Sequence, residues 1–392
     1  MMGVFVLDEI NYIWQNNVKR NARRANFMPS IVSVSTAIPP YKISNSETEE
    51  VVKELFKDSF ADIERLLTIF NNGQIHKRHF VVPKEWFKDS HSFEEKNNLY
   101  IQHSVELGVE AIESCLSDKK FLNKIIYVDD IDAIFFVSSS GIATPTIDAW
   151  IMNELSFSQH TKRIPLWGLG CAGGGAGMSR AYEYCLAYPN AKVLLLCVEL
   201  CSLTFQKDDT RKSNLVGTSL FADGVSCALI VGDEVVKGEK LSKKPVPSIL
   251  GTQSTLMKNS LDVMGWHVND HGLQVIFSKD IPTIVQQWLK PNIETFLLEK
   301  NIELQQIGHF VAHPGGKKVL DSYEKALGYD RGMTETARTI LKNFGNMSSA
   351  TILYVLKEFM TQGPEQGDLG LMTALGPGFS SELLLLEWRD SE

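Results

Sequence analysis

A cysteine beside a run of small residues is the strongest candidate for chemistry in this sequence. Cys171 stands between an apolar segment that ends at Trp167 and a predicted helix that extends to about Tyr188. A thiol at the start of a helix lies near the positive end of the helix dipole, which favours the thiolate and lowers the pKa of the thiol. The neighbouring glycines would admit a bulky acyl thioester and let backbone N–H groups face an oxyanion. The sequence therefore predicts a nucleophile at Cys171; a buried, inert thiol is the alternative.

Two further polar residues stand where predicted strands or helices end. His313 follows the apolar run 310–312 and precedes a Pro-Gly-Gly turn, while Asn346 lies in a glycine-flanked loop whose Ser348 could cap the next helix. Polar side chains at strand ends are where α/β proteins place their chemistry. As isolated residues, both are more often structural. Together, Cys, His and Asn are the groups needed to hold a thiolate, polarise a thioester carbonyl and stabilise an enolate.

The glycine-rich stretch also has a second interpretation, as a dinucleotide site. Gly168, Gly170 and Gly173 match the pattern Gly-x-Gly-x-x-Gly, and Glu199 ends the next strand, as an acid that binds ribose would. A lone fingerprint is common by chance, and the spacing to Glu199 exceeds the usual ~20 residues. A dinucleotide-dependent oxidoreductase therefore remains a distant alternative.

The composition excludes several classes of protein. The 392 residues carry 39 Lys and Arg against 47 Asp and Glu, and a net charge of −8 argues against a basic nucleic-acid binder. The six cysteines form no Cys-x-x-Cys pair, and no apolar run reaches the ~18 to 20 residues of a membrane span. We expect a cytoplasmic protein with reduced thiols. Met28 is a candidate translation start, and residues 1–27 are expected to be an extension without a catalytic role.

Alternating strand and helix signals predict an α/β architecture. Short β-rich runs at 133–137, 192–198 and 225–231 are typical of buried strands in a sheet that is covered on both faces. The Lys-rich segment 236–247, which Pro interrupts, is the predicted boundary. Beyond it the pattern predicts a strand near 248–256 and then helices that alternate with short strands.

Helix starts are indicated by Ser-x-x-Glu capping boxes. Ser46 with Glu49 predicts a helix near 47–57, and Ser92 with Glu95 predicts one near 94–116.

The chain resembles the chalcone synthase-like, or type III, polyketide synthases over about residues 28–388. The resemblance is carried by five ordered motifs: Gly170-Cys171-Ala-Gly-Gly, Ser219-Leu-Phe221-Ala-Asp-Gly224, Ala312-His313-Pro-Gly-Gly316, Gly345-Asn346-Met-Ser-Ser349 and Gly376-Pro377-Gly378-Phe-Ser-Ser. Three further motifs are similar to the bacterial members that make long-chain alkylpyrones: Trp167-Gly-Leu-Gly-Cys-Ala-Gly-Gly, Glu199-Leu-Cys-Ser-Leu-Thr-Phe205 and Met264-Gly-Trp.

The resemblance implies an α/β protein of the thiolase fold, in which two similar mixed-sheet halves stack as a five-layer α/β/α/β/α body. An N-terminal half at 28–245 would carry the cysteine, and a C-terminal half at 246–392 would carry the histidine and asparagine. The family also implies a homodimer. No metal or prosthetic group is implied, since the CoA thioesters are substrates.

Roles follow from the resemblance at matching positions. Cys171 would accept the acyl group. His313 and Asn346 would hold the malonyl thioester carbonyl, promote decarboxylation and stabilise the enolate, and His313 would also keep Cys171 ionised. Phe221 matches the gatekeeper aromatic between the CoA tunnel and the reaction cavity, although from the sequence alone it could be a core residue.

The substrate pocket of the family maps to a set of mostly small residues: Thr144, Cys201, Thr204, Val275, Ser348, Gly376 and Pro377. Val275 stands where plant enzymes carry a second Phe, so one aromatic wall is expected to be absent. The small residues Thr144 and Cys201 could open a channel for a long acyl chain, or either could be a packing residue. Of the basic residues that contact CoA in the family, Arg65 is matched and Lys77 or Arg78 are candidates, whereas Asn72 stands where a Lys is usual.

The resulting hypothesis is an iterative, decarboxylative condensing enzyme. It would load a fatty acyl-CoA onto Cys171, extend it with two or three malonyl-CoA units and release a triketide or tetraketide alkylpyrone. An alkylresorcinol or chalcone/stilbene-type synthase, or a ketoacyl carrier-protein synthase III, is the alternative. A papain-like hydrolase also uses Cys, His and Asn in this order, but its Cys-Gly-x-Cys-Trp context is absent. An inactive scaffold is disfavoured because all three reactive positions are intact.

Overall fold

Residues 28–57, 63–278 and 280–390 are described by the computed structural model of the chain, so the extension predicted at 1–27 lies outside them. The strands are β1 (Ser30–Ala37), β2 (Tyr41–Ser44), β3 (Lys77–Phe80), β4 (Ala133–Ser138), β5 (Lys162–Trp167), β6 (Lys192–Leu200), β7 (Asp223–Val231), β8 (Val246–Leu256), β9 (Met264–Asn269), β10 (Gly272–Phe277), β11 (His309–Ala312), β12 (Leu369–Gly376) and β13 (Ser380–Arg389).

The helices alternate with these strands, as the sequence predicts. They are α1 (Asn45–Phe56), α2 (Ile63–Asn72), α3 (Phe93–Ser117), α4 (Ile147–Glu154), α5 (Gly173–Ala187), α6 (Lys212–Leu220), α7 (Asp233–Glu239), α8 (Ile281–Ile284), α9 (Lys290–Leu298), α10 (Lys317–Leu327), α11 (Glu335–Phe344) and α12 (Thr351–Gln362). A π-helical segment, Val285–Leu289, joins α8 to α9.

The two halves of the chain repeat one strand arrangement. In the first half, β4 pairs parallel with β6, β6 antiparallel with β7, and β7 antiparallel with β1. In the second half, β11, β12, β13 and β8 pair in the same order with the same directions. The two halves are joined by a single pair, Ser30 of β1 with Ser248 of β8, so nine of the thirteen described strands form one continuous sheet.

Two helices occupy the middle of the molecule. Helix α5 contacts β4 and β6 of the first half and also β12 and β13 of the second, while α12 contacts β1, β7 and β11. Helices α3 and α4 cover the outer face of the first half, and α9 packs on β13 of the second. The predicted five layers, α/β/α/β/α, are thus present. Because α5 lies between the halves, its N-terminal turn faces residues from both.

Buried apolar strands and capped helices account for these elements locally. Strands β4 and β7 are buried along their whole length, as their β-rich sequences predict. The box at Ser92 and Glu95 is confirmed, with each backbone N–H bonded to the partner side chain. The box predicted at Ser46 and Glu49 is wrong, because Ser44 is the N-cap of α1 and Glu47 completes the box.

Candidate active site

The turn that carries Cys171 is held by close packing of backbone against backbone. After β5, residues Gly170–Ala172 form a single 3₁₀ turn that leads directly into α5. Gly170 has φ of +46°, and a Cβ there would lie 2.8 Å from the ring of Pro377. A Cβ on Gly376 would lie 2.6 Å from the carbonyl oxygen of Leu169. Gly376 and Pro377, predicted to line the pocket, instead support the turn that positions the thiol.

Asn346 comes from the second half and meets this turn. Its Oδ1 and Nδ2 lie 3.9 and 4.0 Å from Cys171 Sγ. The Oδ1 atom accepts a hydrogen bond from the backbone N–H of Ser348 at 2.9 Å, and Nδ2 donates to the Gly315 carbonyl at 3.3 Å. These bonds fix the amide with its donor nitrogen between the thiol and the loop that follows His313.

Ser348 does not cap the helix, which corrects the sequence expectation. Helix α12 begins after Ala350 and has no side-chain cap. The Ser348 side chain instead acts on Cys171, where it favours the thiolate and lowers the pKa of the thiol. Ser348 has a φ of +46° and is buried, so the loop turns sharply and directs this hydroxyl to the thiol.

His313 lies immediately after β11 and inside the protein. Its backbone N–H donates to the carbonyl of Thr373 at 2.9 Å, which continues the pairing of β11 with β12. Both ring nitrogens are buried and have no hydrogen-bond partner among the described residues. Burial lowers the pKa of His313 to about 3. The imidazole is therefore neutral and has both nitrogens available to a substrate.

The Cys171 thiol is also neutral in the isolated protein. Burial raises its pKa to about 12, and the charge of Glu199 acts in the same direction; the hydrogen bonds from Ser348 and Asn346 oppose both. This differs from the thiolate predicted at the helix start, because loss of solvation outweighs the helix dipole at a buried site.

Glu199 is a buried carboxylate next to this site, and the sequence reasoning assigned it to ribose. Its oxygens accept hydrogen bonds from Ser349 Oγ at 2.6 Å, Ser139 Oγ at 3.0 Å and the backbone N–H of Ser139 at 3.1 Å. It thus joins the two halves behind Cys171. A single acid at the end of the otherwise apolar strand β6 was the signal that could have indicated this internal role.

The same packing argues against the dinucleotide interpretation. A pyrophosphate would have to approach the N-terminal turn of α5. Pro377 lies against Gly170, and Ser349 lies against Gly173 and Gly174. Glu199 already accepts hydrogen bonds from Ser139 and Ser349. Neither the glycine turn nor this acid is therefore accessible to a nucleotide.

Phe221 lies at the junction of the site and a cavity. Phe221 follows α6, and the residues on either side of it hydrogen-bond to the backbone of Asn346. The Asn346 N–H donates to the Leu220 carbonyl, and the Ala222 N–H donates to the Asn346 carbonyl, both at 2.9 Å. The Phe221 ring lies 6.2 Å from that of Trp266 and 6.5 Å from that of Phe277. Any movement of Phe221 is therefore coupled to Asn346.

The cavity beyond Phe221 is partly open to solvent and is lined mostly by apolar surface. Four predicted pocket residues, Cys201, Thr204, Phe221 and Val275, line it together with Trp266. The other apolar side chains of the wall come from β2, from α1 and from three aromatic rings: Ile43, Val51, Val52, Leu55, Phe80, Phe87 and Phe205. Polar residues complete it: Thr48, Arg78, Lys84, Ser202, Asn214 and Thr218.

Thr144 and the predicted CoA contacts lie elsewhere. Thr144 is exposed and outside the cavity wall, which corrects its expected place in the pocket. Arg65 is exposed on α2, and Lys77 is half-buried on β3. Arg78 is buried, with 1% of its surface exposed, so it does not present its charge to a phosphate at the surface. Its inward orientation could have been inferred from strand alternation, since Arg78 and Phe80 share one face of β3.

Comparison with known proteins agrees with this geometry. Residues 16–234 match the N-terminal domain of the chalcone and stilbene synthases, and residues 249–388 match the C-terminal domain. A protein of Bacillus subtilis (strain 168), provisionally named a chalcone synthase, is 52% identical over 92% of this chain and 99% of its own. A 1,3,6,8-tetrahydroxynaphthalene synthase of Streptomyces peucetius subsp. caesius is 31% identical over 92% and 93%.

A solved structure shows the same fold. The type III polyketide synthase of Streptomyces coelicolor A3(2), a 1,3,6,8-tetrahydroxynaphthalene synthase, superimposes with a TM-score of 0.83 at 27% identity, covering 92% of this chain and 99% of that one. The fold and site define an acyl-transferring condensing enzyme of the thiolase fold. The chain belongs to the chalcone and stilbene synthase family, the type III polyketide synthases that condense malonyl-CoA. Among the described residues, no helix is both long and apolar enough to span a membrane.

Proposed function

We propose that this enzyme loads a long-chain fatty acyl group from CoA onto Cys171, extends it with two or three malonyl-CoA units and releases a triketide or tetraketide alkylpyrone. The observation that supports a long starter is the apolar cavity that begins at Phe221 and Cys201 and continues along α1. The other substrate, malonyl-CoA, is that of the family.

Loading is an acyl transfer between two sulfur atoms. Sγ of Cys171 attacks the thioester carbonyl carbon, the bond from that carbon to the CoA sulfur breaks, and CoA leaves as a thiol. The proton of the Cys171 thiol passes to a free nitrogen of His313 and then to the departing CoA sulfur. Both ring nitrogens of His313 lack a partner among the described residues, so one of them is free to accept this proton and return it.

Extension needs donors for a developing enolate rather than a carboxylate base. The malonyl group loses CO₂, and the electron pair of the broken C–C bond becomes the enolate of acetyl-CoA. Asn346 Nδ2 and an N–H of His313 are the donors proposed to face the thioester oxygen, where they stabilise the charge that forms. The enolate carbon then attacks the acyl carbonyl, and the Cys171 sulfur leaves.

The cavity would favour long starters through simple burial. Each CH₂ group moved from water into an apolar site contributes about 0.8 kcal/mol, so affinity should rise about fourfold per carbon until the cavity is filled. Because Val275 is smaller than Phe, the volume that a phenyl ring would fill stays open to the acyl chain. The α1 side chains Val51, Val52 and Leu55 supply a wall without polar groups.

The products of relatives define the alternatives. The Streptomyces peucetius and Streptomyces coelicolor relatives are named for tetrahydroxynaphthalene, and an Amycolatopsis balhimycina relative at 28% identity is named a 3,5-dihydroxyphenylacetyl-CoA synthase. Ring closure by carbon rather than oxygen would give an alkylresorcinol. A single condensation would indicate the chemistry of a ketoacyl carrier-protein synthase III.

We further propose a homodimer joined at the edge of the sheet. Strand β5 pairs only with β4 among the described strands, and its last residue, Trp167, is 53% exposed. Ile142 and Trp150 are exposed on neighbouring segments. An apolar, unpaired edge is a surface that a second copy can cover. A cytoplasmic location, CoA contacts at Arg65 and Lys77, and a division into halves near residue 245 remain predictions.

The test is a product analysis with purified protein. Malonyl-CoA is supplied with acyl-CoA starters of 4 to about 18 carbons, a range chosen around the burial argument, and the products are separated and identified by mass and NMR. Alkylpyrones whose mass rises with the starter support the proposal. Resorcinols, single condensation products, or turnover confined to short starters would reject it.

A further inference from the structure

Arg78 is a buried cation in the wall of the cavity. Its Nη1 atom donates to the backbone carbonyls of Thr218 and Phe221, the latter at 2.9 Å. Its aliphatic stem lies against Gly345, where a Cβ would come within 2.8 Å of Arg78 Cγ. The guanidinium is thus held between the gate residue Phe221 and the loop that carries Asn346.

The second terminal nitrogen of Arg78 is not used in this arrangement. Nη2 is buried and has no hydrogen-bond partner among the residues that the structure describes. The nearby Asp223 carboxylate, whose charge favours the cation, is occupied by the N–H and hydroxyl of Ser202 at 2.7 and 2.6 Å and the N–H of Val81 at 2.9 Å. A buried donor left unpaired is unfavourable, and more so when it is charged.

The other polar side chains of the cavity wall already have partners. Lys84 Nζ lies 3.0 Å from Glu47 Oε1. The remaining hydroxyl, amide and indole groups donate to oxygens of the protein: Thr48, Ser202, Thr204, Asn214, Thr218 and Trp266. Arg78 is therefore the residue of the described wall that carries an unsatisfied side-chain donor, its Nη2 atom.

We propose that Arg78 Nη2 donates a hydrogen bond to an oxygen of an acyl chain that lies in this cavity. The ligand class is an apolar chain that carries one acceptor oxygen. That oxygen comes either from the carboxylate of a fatty acid or from a keto group of an extended chain. This inference rests on the proposed function, because it assumes that acyl chains enter here, and it adds a polar anchor to a cavity that would otherwise select by length alone.

The anchor has a consequence for selectivity. A hydrogen bond from a charged donor discriminates strongly between a ligand with an acceptor oxygen and one without. An apolar wall binds both equally. A comparison of chains matched in length therefore separates the contribution of Arg78 from that of burial.

The experiment uses the whole chain and unreactive probes, so it does not depend on turnover. Heptanoate, 2-octanone and 1-chloroheptane are titrated by calorimetry into the wild type. We expect the better of the two oxygen-bearing probes to bind about tenfold to hundredfold more tightly than the chloroalkane. Tighter binding of heptanoate than of 2-octanone indicates that the acceptor oxygen belongs to a carboxylate. Binding of 2-octanone that is as tight as that of heptanoate indicates a keto oxygen. Equal affinity for all three probes would overturn the proposal without touching the proposed polyketide chemistry.

Two variants distinguish binding from a structural role. Arg78→Lys keeps a cation for the carbonyls of Thr218 and Phe221 but has no second terminal nitrogen. The affinities for the oxygen-bearing probe and the chloroalkane should then differ by less than about threefold, while chloroalkane binding is retained. A uniform weakening of all probes would show that Arg78 only supports the gate. Lys84→Gln, on the same wall but paired with Glu47, is the matched control and should keep the preference. If a variant fails to fold, the comparison of the three probes on the wild type still tests the proposal.

Discussion

The side-chain amide of Asn346 lies directly against the thiol of Cys171, with Oδ1 and Nδ2 at 3.9 and 4.0 Å from Sγ, although the two residues are 175 positions apart. The contact exists because α5, which begins beside Cys171, is the helix shared by both halves. It places the nucleophile and an amide donor where one thioester carbonyl can meet both.

Asn346→Ala should separate the two half-reactions. We expect malonyl-CoA decarboxylation to fall about 10²- to 10³-fold, because a donor to the enolate oxygen is removed, while Cys171 still accepts an acyl group. Release of CO₂ and acyl-protein formation are measured in parallel. Asn343→Ala is the control, because the Asn343 amide lies in the last turn of α11 and donates to the Thr339 carbonyl at 3.0 Å. Undiminished decarboxylation in Asn346→Ala would remove this residue from the mechanism.

Phe221→Ala should change starter use without abolishing decarboxylation. The Phe221 ring lines the cavity and packs with Trp266 and Phe277, so its removal enlarges the cavity and alters which acyl chains are held. The profile of kcat/KM against starter length is the measurement. An unchanged profile would mean that Phe221 is a core residue and not a gate.

Val275→Phe should shorten the preferred starter. Val275 is buried in the cavity wall, and a Cβ on Gly217 would come within 3.3 Å of its Cγ1, so a phenyl ring has to extend into the cavity. We expect kcat/KM for long starters to fall about tenfold, while that for short starters changes little. Val268→Phe, at an exposed position of β9, is the matched control. A parallel loss for all starters would point to misfolding.

Gly376→Ala should destabilise the protein through the Cys171 turn. The added Cβ would lie 2.5 Å from Ala172 Cβ and 2.8 Å from Ala172 N, and backbone atoms cannot rotate away. We expect a loss of about 1 to 3 kcal/mol in the free energy of unfolding. Gly238→Ala, in α7 with no atom within 4 Å of its added Cβ, should be neutral or stabilising by up to ~1 kcal/mol. Equal stability of the two variants in denaturant titrations would contradict this packing account.

Sequence could predict the elements better than the direction of individual side chains. The Cys, His and Asn motifs each stand at the end of an element, and the chain brings Cys171 and Asn346 together as their motifs indicate. The N-cap of α1 could not be predicted, since Ser44 and Ser46 both begin a Ser-x-x-Glu pattern and the backbone alone selects between them. Arg78 was a candidate CoA contact by resemblance to the family, but it is buried.

The charge state of the site was also beyond the sequence. A helix start favours a thiolate, and that local effect can be inferred from glycines and spacing. Burial acts against it and depends on the whole fold, so its dominance at Cys171 and His313 emerges only from the packed structure. Thr144 fell outside the cavity for a related reason, because a position in a motif does not specify which side of a loop reaches solvent.

The most direct test of this account is the site of acyl attachment. The protein is mixed with a long-chain acyl-CoA alone, and intact-protein and peptide mass spectrometry locate any adduct. We expect one acyl group on Cys171 in the wild type and in Cys201→Ala, the variant of the cavity thiol, and none in Cys171→Ala. An acyl adduct that persists in Cys171→Ala, or that maps to Cys201, would contradict the assignment of Cys171 as the nucleophile.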